Sequence, residues 1–216
     1  SKFTSNKEKI FIPHPIYDSF GDIVEKFVAR KKLNLADDGK YLLFFGFIRG
    51  YKGLDIMLDV MHDKRIKGLD IKLIIAGEFY DNKEEYIDKI NQLGISENII
   101  LRSDFIDEKD VKYYFCAADI VTQTYKTATQ SGVTQIAYHF ERPMLVTNVG
   151  GLAEIVPHNK VGYVCDINTK EIADSIIDFY SNNKEDEMHR NTKQEKKRFT
   201  WSKLVEGIDL LISKQL

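Results

Sequence analysis

Residues 119–154 read DIVTQTYKTATQSGVTQIAYHFERPMLVTNVGGLAE, and the fold turns on how this stretch is read. It opens with a β-rich run, Ile120, Val121 and Thr122, and passes through Thr127, Thr129, Gln130 and Ser131 before apolar residues return at helical spacing. Val133, Ile136, Ala137 and Phe140 fit the i, i+3, i+4, i+7 pattern of one buried helix face, with Ser131 or a neighbour at the N-cap. Strand, polar loop and helix therefore follow one another. The start of such a helix offers free backbone N–H groups and a partial positive charge, the ingredients of a phosphate seat. A second strand at 143–147 leads to Gly150 and Gly151, where the backbone can approach a ligand closely or take positive φ, and Glu154 starts the next helical turn.

The same rhythm extends outward. Apolar runs at 41–45, 71–76, 99–101 and 162–164 alternate with helical patterns at 53–61, 83–93 and 109–118. Continuous apolar strands between helices predict a parallel sheet covered on both faces, with right-handed crossovers putting every strand's C-terminal end on one edge. Upstream, 9–13 reads as a first strand and His14 to Tyr17 as a rigid exit from it, since the two prolines that flank His14 favour extended backbone. A helix at 22–33 follows, with Ile23, Phe27 and Val24 on its inner side, then a turn at 37–40. Downstream, helices are expected at 169–180 and 201–212. The charged piece 184–198 between them reads as a solvated helix face paired at i, i+4, as Asp186 with Arg190. The expectation is one Rossmann-like, three-layer α/β/α domain over 1–216 with C-terminal helices.

Composition narrows the function. A chain of 216 residues, 43% hydrophobic and 30% charged, can bury a real core. A net charge of -2 with both signs interspersed gives no footprint for nucleic acid. No apolar run approaches the roughly 20 residues of a spanning helix, and the first residues lack the apolar core of a signal peptide. Cys116 and Cys165 lack the spacing of a redox pair or metal site and read as small core residues in a reducing, cytoplasmic setting.

The chemistry-bearing residues collect at strand ends. Gly46 to Lys52, Gly77 with Glu78, Ser103 to Ile106, residues 124–131 and residues 148–154 each follow a predicted strand. In open α/β sheets ligands bind beyond those carboxyl ends, so one site is expected there. Arg49 and Lys52 beside TATQSG suit a diphosphate, since cations and helix N–H groups act together. The GxxxxGK[ST] and GxGxxG patterns are absent, Ser131 lacks a GxSxG elbow, and the 5 histidines show no metal-ligand spacing. No carboxylate pair is set for acid and base work. Catalysis here would consist of holding a substrate, with no metal and no cofactor.

GFIRGYKGLDIML, LIIAGE, ENIILRSDFIDEKDVKYYFCAADIVTQTY and ATQSGVTQIAYHFERPMLVTNVGGLAEIV, in this order, with FTW at Phe199 to Trp201, closely resemble the C-terminal donor domain of family 4 retaining glycosyltransferases, which have two Rossmann domains. The resemblance implies a nucleoside diphosphate sugar as donor, with a glycan or lipid-linked acceptor brought by an N-terminal domain that this chain does not supply, in glycan or polysaccharide biosynthesis. It implies a cytoplasmic protein, peripheral to the inner membrane through that other domain. Lys52, with Arg49, would meet the diphosphate, helped by the main chain of Thr129, Gln130, Ser131 and Gly132. Ser103, Asp104, Phe105 and Ile106 would receive the base, and Gln135 would hold the ribose in place of the family's second glutamate. The first glutamate of that motif falls at Thr127, and the arginine expected after Gly46 is Phe47. Two other readings share the same seat: a sugar-nucleotide epimerase, and a nucleotide-sugar-binding module without turnover.

Overall fold

The computed structural model describes residues 10, 12–17 and 19–213. Six parallel strands form one sheet: β1 (Lys40–Phe45), β2 (Ile71–Ala76), β3 (Ile99–Arg102), β4 (Ile120–Gln123), β5 (Met144–Thr147) and β6 (Gly162–Cys165). Their order is β3-β2-β1-β4-β5-β6, so the winding reverses between β1 and β4. Successive side chains of a strand point to opposite faces, and both faces are buried. Leu43, Val121 and Val146 enter one core cluster, while Leu42, Phe44, Ile120 and Leu145 enter the other. This is the expected three-layer architecture.

The helices that cover the sheet are α1 (Lys26–Lys32), α2 (Leu54–Met61), α3 (Lys64–Gly68), α4 (Lys83–Gln92), α5 (Glu108–Ala117), α6 (Gly132–His139), α7 (Leu152–Ile155), α8 (Thr169–Ser181), α9 (Glu185–Glu195) and α10 (Trp201–Ser213). Short α3 has no apolar period of its own and was not expected. Asp63 caps it through the backbone N–H of Arg65, at 2.8 Å.

Three expectations need correction. Of the strand at 9–13, residues 9 and 11 lie outside the described residues, and Ile10, Ile12 and Pro13 form no strand. Ile12 instead packs on α10, where a Cβ at Gly207 would stand 2.1 Å from its Cδ1. Helix α1 starts at Lys26, and Ile23 and Phe27 face outward, 43% and 57% exposed. Its buried residues are Ala29 and Arg30, because Arg30 is drawn inward by Asp119 at 2.8 Å. Helix α9 is not solvated all round: Met188, Thr192 and Glu195 are buried, and Glu195 is paired with Lys160 at 2.9 Å and with Arg198. Asp186 and Arg190 form no ion pair among the described residues.

Candidate nucleotide-sugar site

The loops after β1, β2, β3, β4 and β5 share the carboxyl edge, and the reversal between β1 and β4 opens a crevice between their loops. The β1 loop closes as a 3-10 turn over Gly50–Lys52, which turns Lys52 inward until it is only 8% exposed. No carboxylate among the described residues pairs with it. Burial, and then the charge of Arg49, lower its pKa to about 8. Its Nζ lies 5.8 Å from the centre of the Tyr125 ring, and 3.0 Å from where a Cβ on Gly46 would stand. Arg49 is exposed, with its guanidinium stacked 4.7 Å over Tyr80.

On the other side of the crevice, α6 begins at Gly132 after Ser131, whose backbone is extended as in an N-cap. The Ser131 hydroxyl does not cap. It meets the Tyr125 hydroxyl at 3.2 Å, so the first N–H groups of α6 are left without a side-chain partner. Burial pushes the Tyr125 phenol up to about 12, which keeps it a neutral hydrogen-bond partner. Tyr125 links the two features: its ring lies 5.8 Å from the buried ammonium, and its hydroxyl meets Ser131 at the uncapped start of α6. Together they favour an anion.

Two clefts flank this seat. The first, of about 390 Å³, is walled by Phe20, Phe45, Phe47, Phe105, Ile106 and Ile136, with Gly46, Gly77 and Glu78 also at its surface. Gly77 has φ +138°, and a Cβ there would stand 2.4 Å from the Gly46 carbonyl oxygen, so the β1 and β2 loops touch through bare backbone. The second cleft, of about 310 Å³, is lined by Thr129, Gln130, Gln135, Gly150, Gly151 and Glu154, together with His14. Gly150 has φ +52° and its Cβ would stand 1.6 Å from the Ala128 carbonyl oxygen. That contact lets the Gly151 N–H donate to the Thr129 carbonyl at 3.0 Å and holds the β4 and β5 loops together.

The structure thus gathers Gly46, Gly77, Glu78, Phe105 and Ile106 at one cleft and Thr129, Gln130, Gln135, Gly150, Gly151 and Glu154 at the other. Ser103 receives a hydrogen bond from Lys83 at 2.7 Å, while Asp104 and Thr127 are exposed beside the clefts. Gln135 and the Phe105–Ile106 loop stand at different clefts. Sequence reasoning missed Phe20 and His14, which lie on the segment entering the domain. Tyr17 between them crosses the start of α6, its Cε2 3.6 Å from where a Cβ on Gly132 would stand. The two prolines around His14 were the available signal that this segment is rigid. Among the described residues no group of His, Cys, Asp and Glu is arranged to hold a metal, and no helix is long and apolar enough to cross a membrane.

The family model described as glycosyl transferases group 1 matches residues 25–199, which includes both clefts' strand-end loops. The chain belongs to this family. Its relatives include an uncharacterized glycosyltransferase of Methanocaldococcus jannaschii, 29% identical over 138 residues, 64% of this chain and 35% of the relative. The chain spans about a third to a half of the length of the curated relatives it matches. Among solved structures, sucrose-phosphate synthase from Thermosynechococcus elongatus shares the fold with TM-score 0.78 at 16% identity, over 94% of this chain and 52% of that one. Anabaena HepE, solved in complex with UDP, does so with TM-score 0.73 at 18% identity, over 92% of this chain and 57% of that one.

Proposed function

We propose that the chain is the donor-binding half of a retaining glycosyltransferase, which moves a sugar from a nucleoside diphosphate sugar to a glycan or lipid-linked acceptor. The observation that carries this reading is the buried Lys52, which pairs with no carboxylate among the described residues and lies beside Tyr125, whose hydroxyl meets the uncapped start of α6, with an apolar cleft and a polar cleft nearby. A planar base suits the apolar cleft at Phe105 and Ile106. The diphosphate suits Lys52, Arg49 and the main chain of Thr129 to Gly132, and the ribose, bonded to both base and diphosphate, falls between that cleft and this seat, so Gln135 at the other cleft does not reach it. The UDP bound by HepE supports a nucleotide of this class, and the spans of the matched relatives support a partner domain in a longer protein.

During transfer negative charge grows on the leaving diphosphate. Lys52, Arg49 and the α6 N–H groups stabilise that charge more in the transition state than in the ground state, which is what accelerates the step. Cytoplasmic location and a role in polysaccharide synthesis complete the proposal.

Calorimetry with UDP, GDP and ADP tests it directly: one of them binds, and binding by none of them defeats the reading. Affinity should also be unchanged by EDTA, because fixed cations already meet the phosphates; an affinity that collapses on chelation sinks the metal-independent reading. The chain by itself should bind donor yet leave an acceptor unmodified. Efficient transfer by these 216 residues alone would refute the need for a second domain.

A further inference from the structure

Helices α3, α4 and α8 begin in the usual way: Asp63, Asn82 and Asn168 each turn a side-chain oxygen onto an N–H of the first turn. Helix α6 departs from this. Ser131 stands at its N-cap with extended backbone and is only 8% exposed, yet its hydroxyl reaches no N–H of the helix. The Tyr125 hydroxyl holds it instead, at 3.2 Å. Among the described residues the N–H groups of Gly132, Val133 and Thr134 donate to no side chain and to no loop carbonyl.

Tyr125 is itself fixed from several sides. It is 3% exposed, the Thr147 hydroxyl of β5 donates to its carbonyl at 2.6 Å, and the next N–H, that of Lys126, donates to the Tyr51 carbonyl at 2.7 Å. The Tyr51 ring stands edge-on to it at 6.0 Å. On the Lys52 side the Tyr125 ring lies 5.8 Å from the ammonium. Gly46 brings the two halves of the seat together: a Cβ there would stand 3.0 Å from Lys52 Nζ and 3.7 Å from Cγ2 of Val133, in the first turn of α6. Serine is among the best N-caps, and here it is withheld from that role beside a buried cation. We propose that Tyr125 is a positioning residue of the anion seat, whose hydroxyl holds Ser131 off the start of α6 and so leaves those N–H groups to the diphosphate. The inference rests on the donor-site reading above.

Tyr125→Phe keeps the ring beside Lys52 and removes only the hydroxyl. The Ser131 hydroxyl, buried and then without a partner, should turn onto the N–H of Val133 or Thr134 as a serine N-cap does. Calorimetry on the whole chain with inorganic pyrophosphate, UDP and GDP should then read a loss of about fivefold, the scale of one capping hydrogen bond. Adding Ser131→Ala to Tyr125→Phe removes the competing hydroxyl and should return most of the lost affinity, which a defect of folding would not do. Without ligand, Ser131→Ala should lower the thermal midpoint more in the Tyr125→Phe background than in the wild type, since only there does it remove a cap. The fall of affinity above about pH 8 that Lys52 gives should persist in Tyr125→Phe. If Tyr125→Phe binds as the wild type does, if the double variant binds no tighter than Tyr125→Phe, or if Ser131→Ala costs the same in both backgrounds, the role given to Tyr125 is overturned and the donor-site reading stands. Loss of the pH slope overturns it too, because the hydroxyl would then act through Lys52. A wild type that binds none of the probes overturns both.

Discussion

Asp119→Ala should destabilise the fold by about 3–5 kcal/mol, the range for removing one partner of a buried ion pair. The Asp119 side chain is only 4% exposed, and it is where several elements meet. Oδ1 accepts from Arg30 of α1 at 2.8 Å and from Lys26. Oδ2 accepts from the Tyr41 backbone N–H at the start of β1, at 2.7 Å, and from the Tyr180 hydroxyl of α8, at 3.0 Å. Truncation would leave the Arg30 guanidinium, itself 5% exposed, without its carboxylate. Arg30 would keep hydrogen bonds to the Ala117 carbonyl at 3.1 Å and to the Asp37 carbonyl, but those do not neutralise a charge. Urea unfolding at constant m-value measures the loss. A shift below about 1 kcal/mol would show that the pair is solvated and not structural. The double variant Arg30→Met with Asp119→Leu should lose much less than the two single changes added together, since it removes both charges at once.

That cluster also marks where the sequence could be read and where it could not. The sheet was legible because its strands are apolar runs, and glycines close two of them at Gly46 and Gly77. Helix α6 was legible because Val133, Ile136, Ala137 and Phe140 keep one period and are all buried. Helix α1 was misread for the opposite reason. Its inward residue is an arginine, and an argument from apolar period cannot see a charge that is buried through a partner 89 positions away. Asp119 heads the stretch that gave the fold away, yet a single aspartate before a strand carries no mark of burial.

The candidate site divides in the same manner. Glycines, lysine and hydroxyl residues after strands pointed to the carboxyl edge because a parallel sheet must put those loops together. His14 and Phe20 were not legible, since they reach the clefts only through the path of the chain across α6. The separation of Gln135 from the Phe105 loop was hidden too. Spacing places Gln135 on the helix, but which cleft it lines depends on how α6 is rotated against the sheet.

Lys52→Met should weaken diphosphate binding by about 1.5–3 kcal/mol, tenfold or more, and at the same time make the unliganded protein more stable. Both halves follow from one geometry. The ammonium is buried with no carboxylate beside it among the described residues, and burial followed by the Arg49 charge lowers its pKa from 10.5 to about 8. Between about 8 and 10.5 the unfolded chain therefore binds more protons than the folded one at this residue, so its contribution makes stability rise with pH across that window. At neutral pH, below both values, the charged Lys52 costs the fold about 3 kcal/mol on the usual conversion of 1.36 kcal/mol per unit. Methionine fills the same space without that cost. A bound diphosphate reverses the balance: it restores the ammonium, so binding takes up a proton once the pH exceeds about 8. Affinity of the wild type for UDP or GDP should accordingly be level just below pH 8 and fall up to about tenfold per unit above it, with proton uptake visible as a buffer-dependent heat. The methionine variant should show a weak affinity without that slope, and its stability should not climb between pH 8 and 10 as the wild type's does. If the variant binds as tightly as the wild type, Lys52 does not touch the phosphates. If instead its affinity is reduced but follows the same pH slope, the proton belongs to another group and the buried ammonium is not the one that the ligand restores.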